Sequence, residues 1–150
     1  IEVYSEIGKG TEFIIFIPAF YEEKKEEISQ QEKIILLADD EIMLQDLIAE
    51  LLETVGYYVI KVQTGEEVLE ILKDVIKVDL LIIDYNMPKM NGLECIEQIR
   101  KLKIDVPIIL SSGSLIFSDN IQIENYGVNS ILQKPYDFDT MLNEVKKIIG

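Results

Sequence analysis

Asp79-Leu80-Leu81-Ile82-Ile83-Asp84 decides the reading of this chain. Its interior is apolar without alternation, as in a strand covered on both faces, and it stops on an acid. Three other runs repeat the pattern. Ile34-Ile35-Leu36-Leu37-Ala38 ends on Asp39-Asp40, Pro107-Ile108-Ile109-Leu110 leads to Ser111-Ser112, and Val128 to Leu132 leads to Lys134-Pro135. Tyr57 to Val62 reads as one more strand. Between the strands, Leu44, Leu47, Ile48, Leu51, Leu52 and Val55 recur at helical steps, with Gly56 placed to end the helix. Thr64 and Glu67 suit a capping box ahead of Val68, Leu69 and Leu72. Helices are also expected near Leu93 to Leu102, in a loosely patterned stretch around Ser118 to Tyr126, and through Phe138, Met141, Leu142, Val145 and Ile148. Five strand–helix units in series predict a doubly wound α/β fold, a parallel sheet with helices on both faces.

The sequence has 150 residues and is 48% hydrophobic, enough to build a packed core. Acidic residues outnumber basic ones 28 to 14, a formal charge of -14, which argues against nucleic acid or an anionic membrane as direct partner. The single cysteine, Cys95, has no internal partner and reads as a small buried apolar residue in a reducing compartment. With no histidine, His-based metal sites, a Ser-His-Asp triad and a phosphorylatable histidine are excluded within these residues. No apolar run approaches the ~20 residues that span a bilayer, and no signal peptide precedes the domain, so a cytoplasmic segment is expected.

Three sections are expected. Residues 1–20 read as a hairpin, Glu2 to Glu6 and Glu12 to Ile17 around Gly8-Lys9-Gly10, whose second strand is apolar on both faces. Two strands cannot bury both faces of such a strand, so the section reads as the end of another domain, and edge pairing into a homodimer is expected of it. Residues 21–32 form a charged linker, and residues 33–150 the α/β domain, after whose last helix no DNA-binding output domain is expected.

In an open parallel sheet, Asp39, Asp40, Asp84, Ser112 and Lys134 all leave strand ends on one edge, where ligands bind. Two carboxylates about 4 Å apart repel by roughly 4 kcal/mol at an effective dielectric of 20. A hard divalent cation compensates, because Mg²⁺ prefers oxygen ligands, and Lys134 adds a second positive charge. Such a notch suits a phosphoryl group, with a carboxylate as nucleophile and the Ser112 hydroxyl as donor. Each residue also has a plain structural reading. Asp39-Asp40-Glu41 suits a helix cap with favourable first-turn acids, Ser111-Ser112-Gly113-Ser114 a loop, and Lys134-Pro135 a strand terminator. Their joint placement on one edge favours the site.

Residues 33–150 resemble the receiver domain of two-component response regulators. The stretches that carry the resemblance are Leu37-Ala38-Asp39-Asp40-Glu41, Gly56-Tyr57-Tyr58-Val59, Thr64-Gly65-Glu66-Glu67, Asp79 to Pro88, Met90-Asn91-Gly92, Pro107-Ile108-Ile109 and Lys134-Pro135. The resemblance implies a flavodoxin-like (CheY-like) sheet of order 2-1-3-4-5. It implies that Asp84 accepts phosphate from a phosphohistidine, on a kinase or a phosphotransfer domain. Asp40 and Asp84 would ligate Mg²⁺ (or Mn²⁺) by their side chains, Asn86 by its backbone carbonyl, and Asp39 through metal-bound water. Ser112 and Lys134 would follow the phosphoryl group, and Asn86 and Ser114 would flank the water that removes it. The position usually held by an aromatic switch residue falls on Ile131, so a rotating ring cannot report phosphorylation here.

Val3-Tyr4-Ser5-Glu6, Gly8-Lys9-Gly10-Thr11 and Phe13 to Pro18 resemble the C-terminal end of a histidine-kinase ATP-binding domain. Together the two resemblances imply a piece of a hybrid sensor histidine kinase, a transferase. The nucleotide-binding motifs are missing from this piece, which would then catalyse only its own phosphorylation and dephosphorylation. Two other readings compete: a pseudo-receiver that serves as an interaction platform, and a metal-dependent phosphatase of related topology. The latter class carries a second acid two residues beyond its nucleophile, where this chain has Asn86.

Overall fold

The computed structural model describes residues 32–74, 77–113 and 123–150, of which 123 and 124 by backbone alone, together with the backbone of residues 2–6 and 10–14. The chain divides into two compact units, Ile1–Gln31 and Glu32–Gly150. In the first, β1 (Glu2–Glu6) pairs antiparallel with β2 (Gly10–Ile14), Tyr4 opposite Glu12. The second strand starts at Gly10 rather than Glu12, because the ladder continues to the pair Glu6 and Gly10. Residues 15–17, expected to extend it, and the linker residues 21–31 lie outside the described residues.

The second unit runs β3 (Ile34–Ala38), α1 (Ile42–Thr54), β4 (Tyr58–Val62), α2 (Gly65–Lys73), β5 (Leu80–Asp84), α3 (Gly92–Lys101), β6 (Ile108–Ser112), a 3-10 turn (Ile123–Tyr126), β7 (Ser130–Gln133) and α4 (Phe138–Ile149). The sheet is parallel throughout, in the order β4-β3-β5-β6-β7. Counted within this sheet, that is the expected 2-1-3-4-5. The loosely patterned fourth helix is reduced among the described residues to the turn Ile123–Tyr126, and its expected start at Ser118 lies outside them.

Alternate residues of each strand serve opposite layers, which is why the central strands β3 and β5 are apolar up to the acids that end them. On one face, Ile48, Ala49 and Leu52 of α1 and Met141 and Val145 of α4 pack on Leu37, Leu80, Ile82 and Ile109. On the other, Val68 of α2 and Leu93, Cys95, Ile96 and Ile99 of α3 pack on Leu36, Leu81, Ile83 and Leu110. Burying each such side chain contributes about 1.5–3 kcal/mol. Cys95 is fully buried, its Sγ facing the Gly65 carbonyl, and burial ahead of the nearby Glu66 pushes its thiol up to about 12. That is the environment of a packing residue.

Helix α1 presents a narrower stripe than its apolar spacing suggests. Gln45, Ile48, Ala49 and Leu52 face inward, while Leu47 and Val55 stay exposed. The buried Gln45 amide donates to the carbonyls of Leu37 and Val62, tying the ends of β3 and β4 together. Helices α2, α3 and α4 open on side-chain caps from Thr64, Asn91 and Asp137, the first two completed as capping boxes by Glu67 and Glu94. Helix α1 has none from Glu41, the residue at its cap position; instead Asp39 Oδ1 accepts from the Glu41 N–H at 2.9 Å.

Arg100, near the end of α3, closes the far edge of the sheet. Its guanidinium donates to the carbonyls of Ile104 (2.8 Å), Val106 (2.9 Å) and Gly127 (2.8 Å), three bonds that a lysine ammonium could not match in planar geometry. Arg100→Ala leaves these loop carbonyls without their donor and is expected to lower stability by about 2 kcal/mol in urea denaturation. Because the guanidinium sits at the opposite edge from the acids, divalent-ion binding in the same variant should be unchanged.

Candidate functional site

Parallel pairing lays the strand residues out in rows. Ala38, Ile83, Leu110 and Ile131 form one row, and Asp84, Ser111 and Leu132 begin the next. Asp39 leaves β3 at the same level, its N–H bonded to the Val62 carbonyl at 3.2 Å. Polar residues thus appear where the ladder ends, because there the apolar helices no longer cover the sheet.

The loop after β5 turns back sharply. Gly92 N–H donates to the Tyr85 carbonyl at 2.9 Å, and a Cβ on Gly92 would stand 2.6 Å from the Asp84 carbonyl oxygen. Glycine is therefore required where α3 begins, and its close approach fixes the main chain that carries Asp84. Asn86 stands exposed two residues beyond Asp84 in this loop.

Asp39, Asp40 and Asp84 each offer a carboxylate oxygen, and the three lie within 4.8 Å of one another. Asp39 and Asp84 are buried and Asp40 is exposed. From β7, Lys134 reaches back so that its Nζ stands 3.2 Å from Asp39 Oδ2 and 3.2 Å from Asp84 Oδ1. Burial, resisted by Lys134 and reinforced by the charges of Asp39 and Asp40, holds the Asp84 carboxyl above the ordinary carboxylate value of 3.8. For Lys134, burial disfavours the ammonium, but Asp84 and Asp39 outweigh it and raise its pKa. One ammonium thus leaves three acids undercompensated. A further cation of hard character fits this donor set, since all its ligand atoms are carboxylate oxygens with an open, partly exposed side at Asp40.

Ser112 is buried at the end of β6, opposite Gln133. The structure therefore brings Asp39, Asp40, Asp84 and Lys134 together, with Ser112 on the adjoining strand end and Asn86 on the rim, whereas Ser114 lies outside the described residues. Ile131 lies half-buried beside Leu110.

Two residues here carry no mark in the reading of the strand ends. Ser111 lies directly beside Asp84 in the row, and Tyr136 follows Lys134 across a cis Lys134–Pro135 peptide. Burial raises the Tyr136 phenol, and the facing Ser111 hydroxyl offsets part of the rise. The signal was their position, one residue before Ser112 and two after Lys134, not their type.

Residues 35–146 match the family model described as response regulator receiver domain. Response regulator RR06 of Streptococcus pneumoniae is 32% identical over 114 residues, which cover 76% of this chain and 52% of that protein. The transcriptional regulatory protein CpxR of Escherichia coli is likewise 32% identical, over 76% of this chain and 48% of its own. The chain therefore spans about half the length of these curated relatives. Sensor kinase CckA of Brucella abortus is 30% identical over 97% of this chain and 17% of its own. Among solved structures, response regulator protein TrrA from Thermotoga maritima, crystallised with Mg(2+)-BeF, superimposes with a TM-score of 0.69 at 33% identity, over 77% of this chain and 98% of that one. A response regulator receiver protein from Pseudomonas putida gives a TM-score of 0.73 at 25% identity, over 79% and 99%. With the fold, the acid cluster and the family match in agreement, this chain belongs to the response regulator receiver domain family.

Proposed function

We propose that residues 33–150 are a phosphoacceptor module, with Asp84 as the residue that takes the phosphoryl group. The observation that carries this reading is the Lys134 ammonium, 3.2 Å from both Asp39 and Asp84 in a notch of three carboxylates. In the transfer, an Asp84 oxygen bonds to phosphorus while the bond from phosphorus to a donor imidazole breaks and its electron pair returns to the ring. Lys134 then follows the negative charge onto the phosphoryl oxygens, and Ser112 donates its hydroxyl to one of them. Asp39, Asp40, Asp84 and the backbone carbonyl of Asn86 would hold magnesium or manganese, which supplies charge neutralisation for the phosphoryl oxygens. That the related TrrA was crystallised in complex with Mg(2+)-BeF supports magnesium as the ion.

The donor reads as a phosphohistidine-bearing kinase or phosphotransfer domain. An apolar rim borders the notch at the start of α1, where Met43 is 88% exposed and Leu47 53%, one helical turn apart. Exposed apolar side chains beside an acidic site suit a helical partner rather than a small substrate. The alignment with Sensor kinase CckA, which extends over nearly the whole chain, supports the further reading that this sequence is part of a hybrid sensor kinase, with residues 1–20 from its ATP-binding domain, 21–32 a linker and a cytoplasmic receiver after them.

Treating the protein with acetyl phosphate and Mg²⁺ should add one phosphate-sized mass increment, absent in Asp84→Asn. A mass unchanged by the donor, together with no response to Mg²⁺, would instead favour an unphosphorylated interaction platform. Met43→Glu should slow transfer from a phosphohistidine donor at least tenfold while leaving uptake from acetyl phosphate within twofold, which separates docking from chemistry. Metal-free stability should also depend on pH through Asp84. Its folded pKa is raised, so its contribution is fully present below 3.8 and is lost as pH rises through the folded value. Asp84→Asn is therefore expected to unfold at higher denaturant than the parent at pH 7, with the difference closing below pH 3.8.

A further inference from the structure

Ser111 is 2% exposed, and its Oγ has no hydrogen-bond partner of good geometry among the described residues. A buried hydroxyl left in this state is unfavourable, and its location asks for a reason. Ser111 is the register partner of Asp84, and its carbonyl accepts from Tyr85 N–H at 2.8 Å. Paired residues of parallel strands project to the same face about 4.8 Å apart, so the Ser111 and Asp84 side chains leave the sheet on one face as neighbours in register. The Tyr136 phenol faces the Ser111 hydroxyl. Lys134 engages Asp84 Oδ1 from beyond β7, and Ser111 is the neighbour of Asp84 on β6 between them.

We propose that Ser111 and Tyr136 form a hydroxyl pair that sets the lifetime of the acyl phosphate: Tyr136 donates to Ser111, and Ser111 donates to the Asp84 carboxyl as it is released. This rests on Asp84 being the phosphoacceptor. In the decay step, water adds to phosphorus, the bond from phosphorus to the Asp84 oxygen breaks, and the electron pair stays on the carboxylate as inorganic phosphate leaves. The Ser111 hydroxyl bonds more strongly to the full carboxylate than to the acyl group, so it eases departure. With a loose transition state most of the carboxylate's charge is present at the barrier in both directions. The effect therefore falls on decay, whereas uptake, which starts from the charged carboxylate, changes little. In this assignment Ser111 takes the catalytic role, because the proposed bond is to the leaving oxygen, and Tyr136 is a positioning residue.

The test follows the whole chain, loaded with acetyl phosphate and Mg²⁺ and then freed of donor, by mass spectrometry of the phosphorylated fraction over time. Ser111→Ala is expected to slow decay about fivefold, the share of one charge-assisted hydrogen bond, and to slow uptake by less. Tyr136→Phe should slow decay less, and the double variant should decay no more slowly than Ser111→Ala, because the tyrosine acts through the serine. Ser111→Thr, which keeps the hydroxyl, should decay like the parent and carries the test together with Tyr136→Phe if the alanine variant does not fold. Thermal midpoints measured alongside separate these effects from a general loosening. Unchanged decay in Ser111→Ala, equal slowing of uptake and decay, additive effects in the double variant, or slow decay in Ser111→Thr each overturn the pair's role while leaving Asp84 as acceptor. A parent chain that takes no phosphate overturns both.

Discussion

The ion pair between Lys134 and Asp84 is the constraint to which the rest of the domain answers. A carboxylate with only 4% of its surface open to water loses several kcal/mol of hydration, and an ammonium 3.2 Å away returns part of that only if its position is held. Holding it takes the sheet itself. Lys134 follows β7, Asp84 ends β5, and β6 stands between them, so the distance between the charges is fixed by two ladders of backbone hydrogen bonds. The apolar layers on both faces fix the twist and spacing of those ladders. A change deep in the core therefore reaches the notch through strand position, without touching an acid.

The acids outnumber the ammonium by design of the strand ends, not by accident of a charged surface. Asp39 and Asp84 are buried, and the net effect of burial over pairing is visible in the raised pKa of Asp84. A site left in this state favours whatever brings positive charge and oxygen-accepting geometry. An excess of carboxylate charge attracts a hard cation and repels anions, so the notch would accept an anionic group only beside a bound cation and Lys134.

Much of this arrangement was legible in the sequence because strands and acids alternate in a fixed order. The run Leu80 to Ile83 announced a doubly covered strand, and Thr64 with Glu67 announced a helix start that the structure has as a capping box. The meeting of Asp39, Asp84 and Lys134 followed from the topology alone. What escaped were residues whose importance comes from neighbours rather than type. Gln45 looks like a surface residue in the apolar spacing of α1, yet it is buried because two strand-end carbonyls need a donor there. Gly92 reads as part of a helix start, and only the approach to the Asp84 carbonyl shows why no side chain fits. Ser111 was eclipsed by Ser112, since a one-residue difference in register cannot be seen without the ladder. The loosely patterned stretch before Tyr126 likewise offered too little periodicity to separate a helix from the single 3-10 turn found at its end.

Asp39 spends its two oxygens on different tasks. Oδ1 holds the Glu41 amide, where α1 begins without a cap of its own, and Oδ2 meets Lys134. Any redistribution of charge in the notch that draws on this carboxylate also draws on the anchor of the helix bearing Met43 and Leu47. The charge balance of the notch and the first turn of α1 thus share one carboxylate.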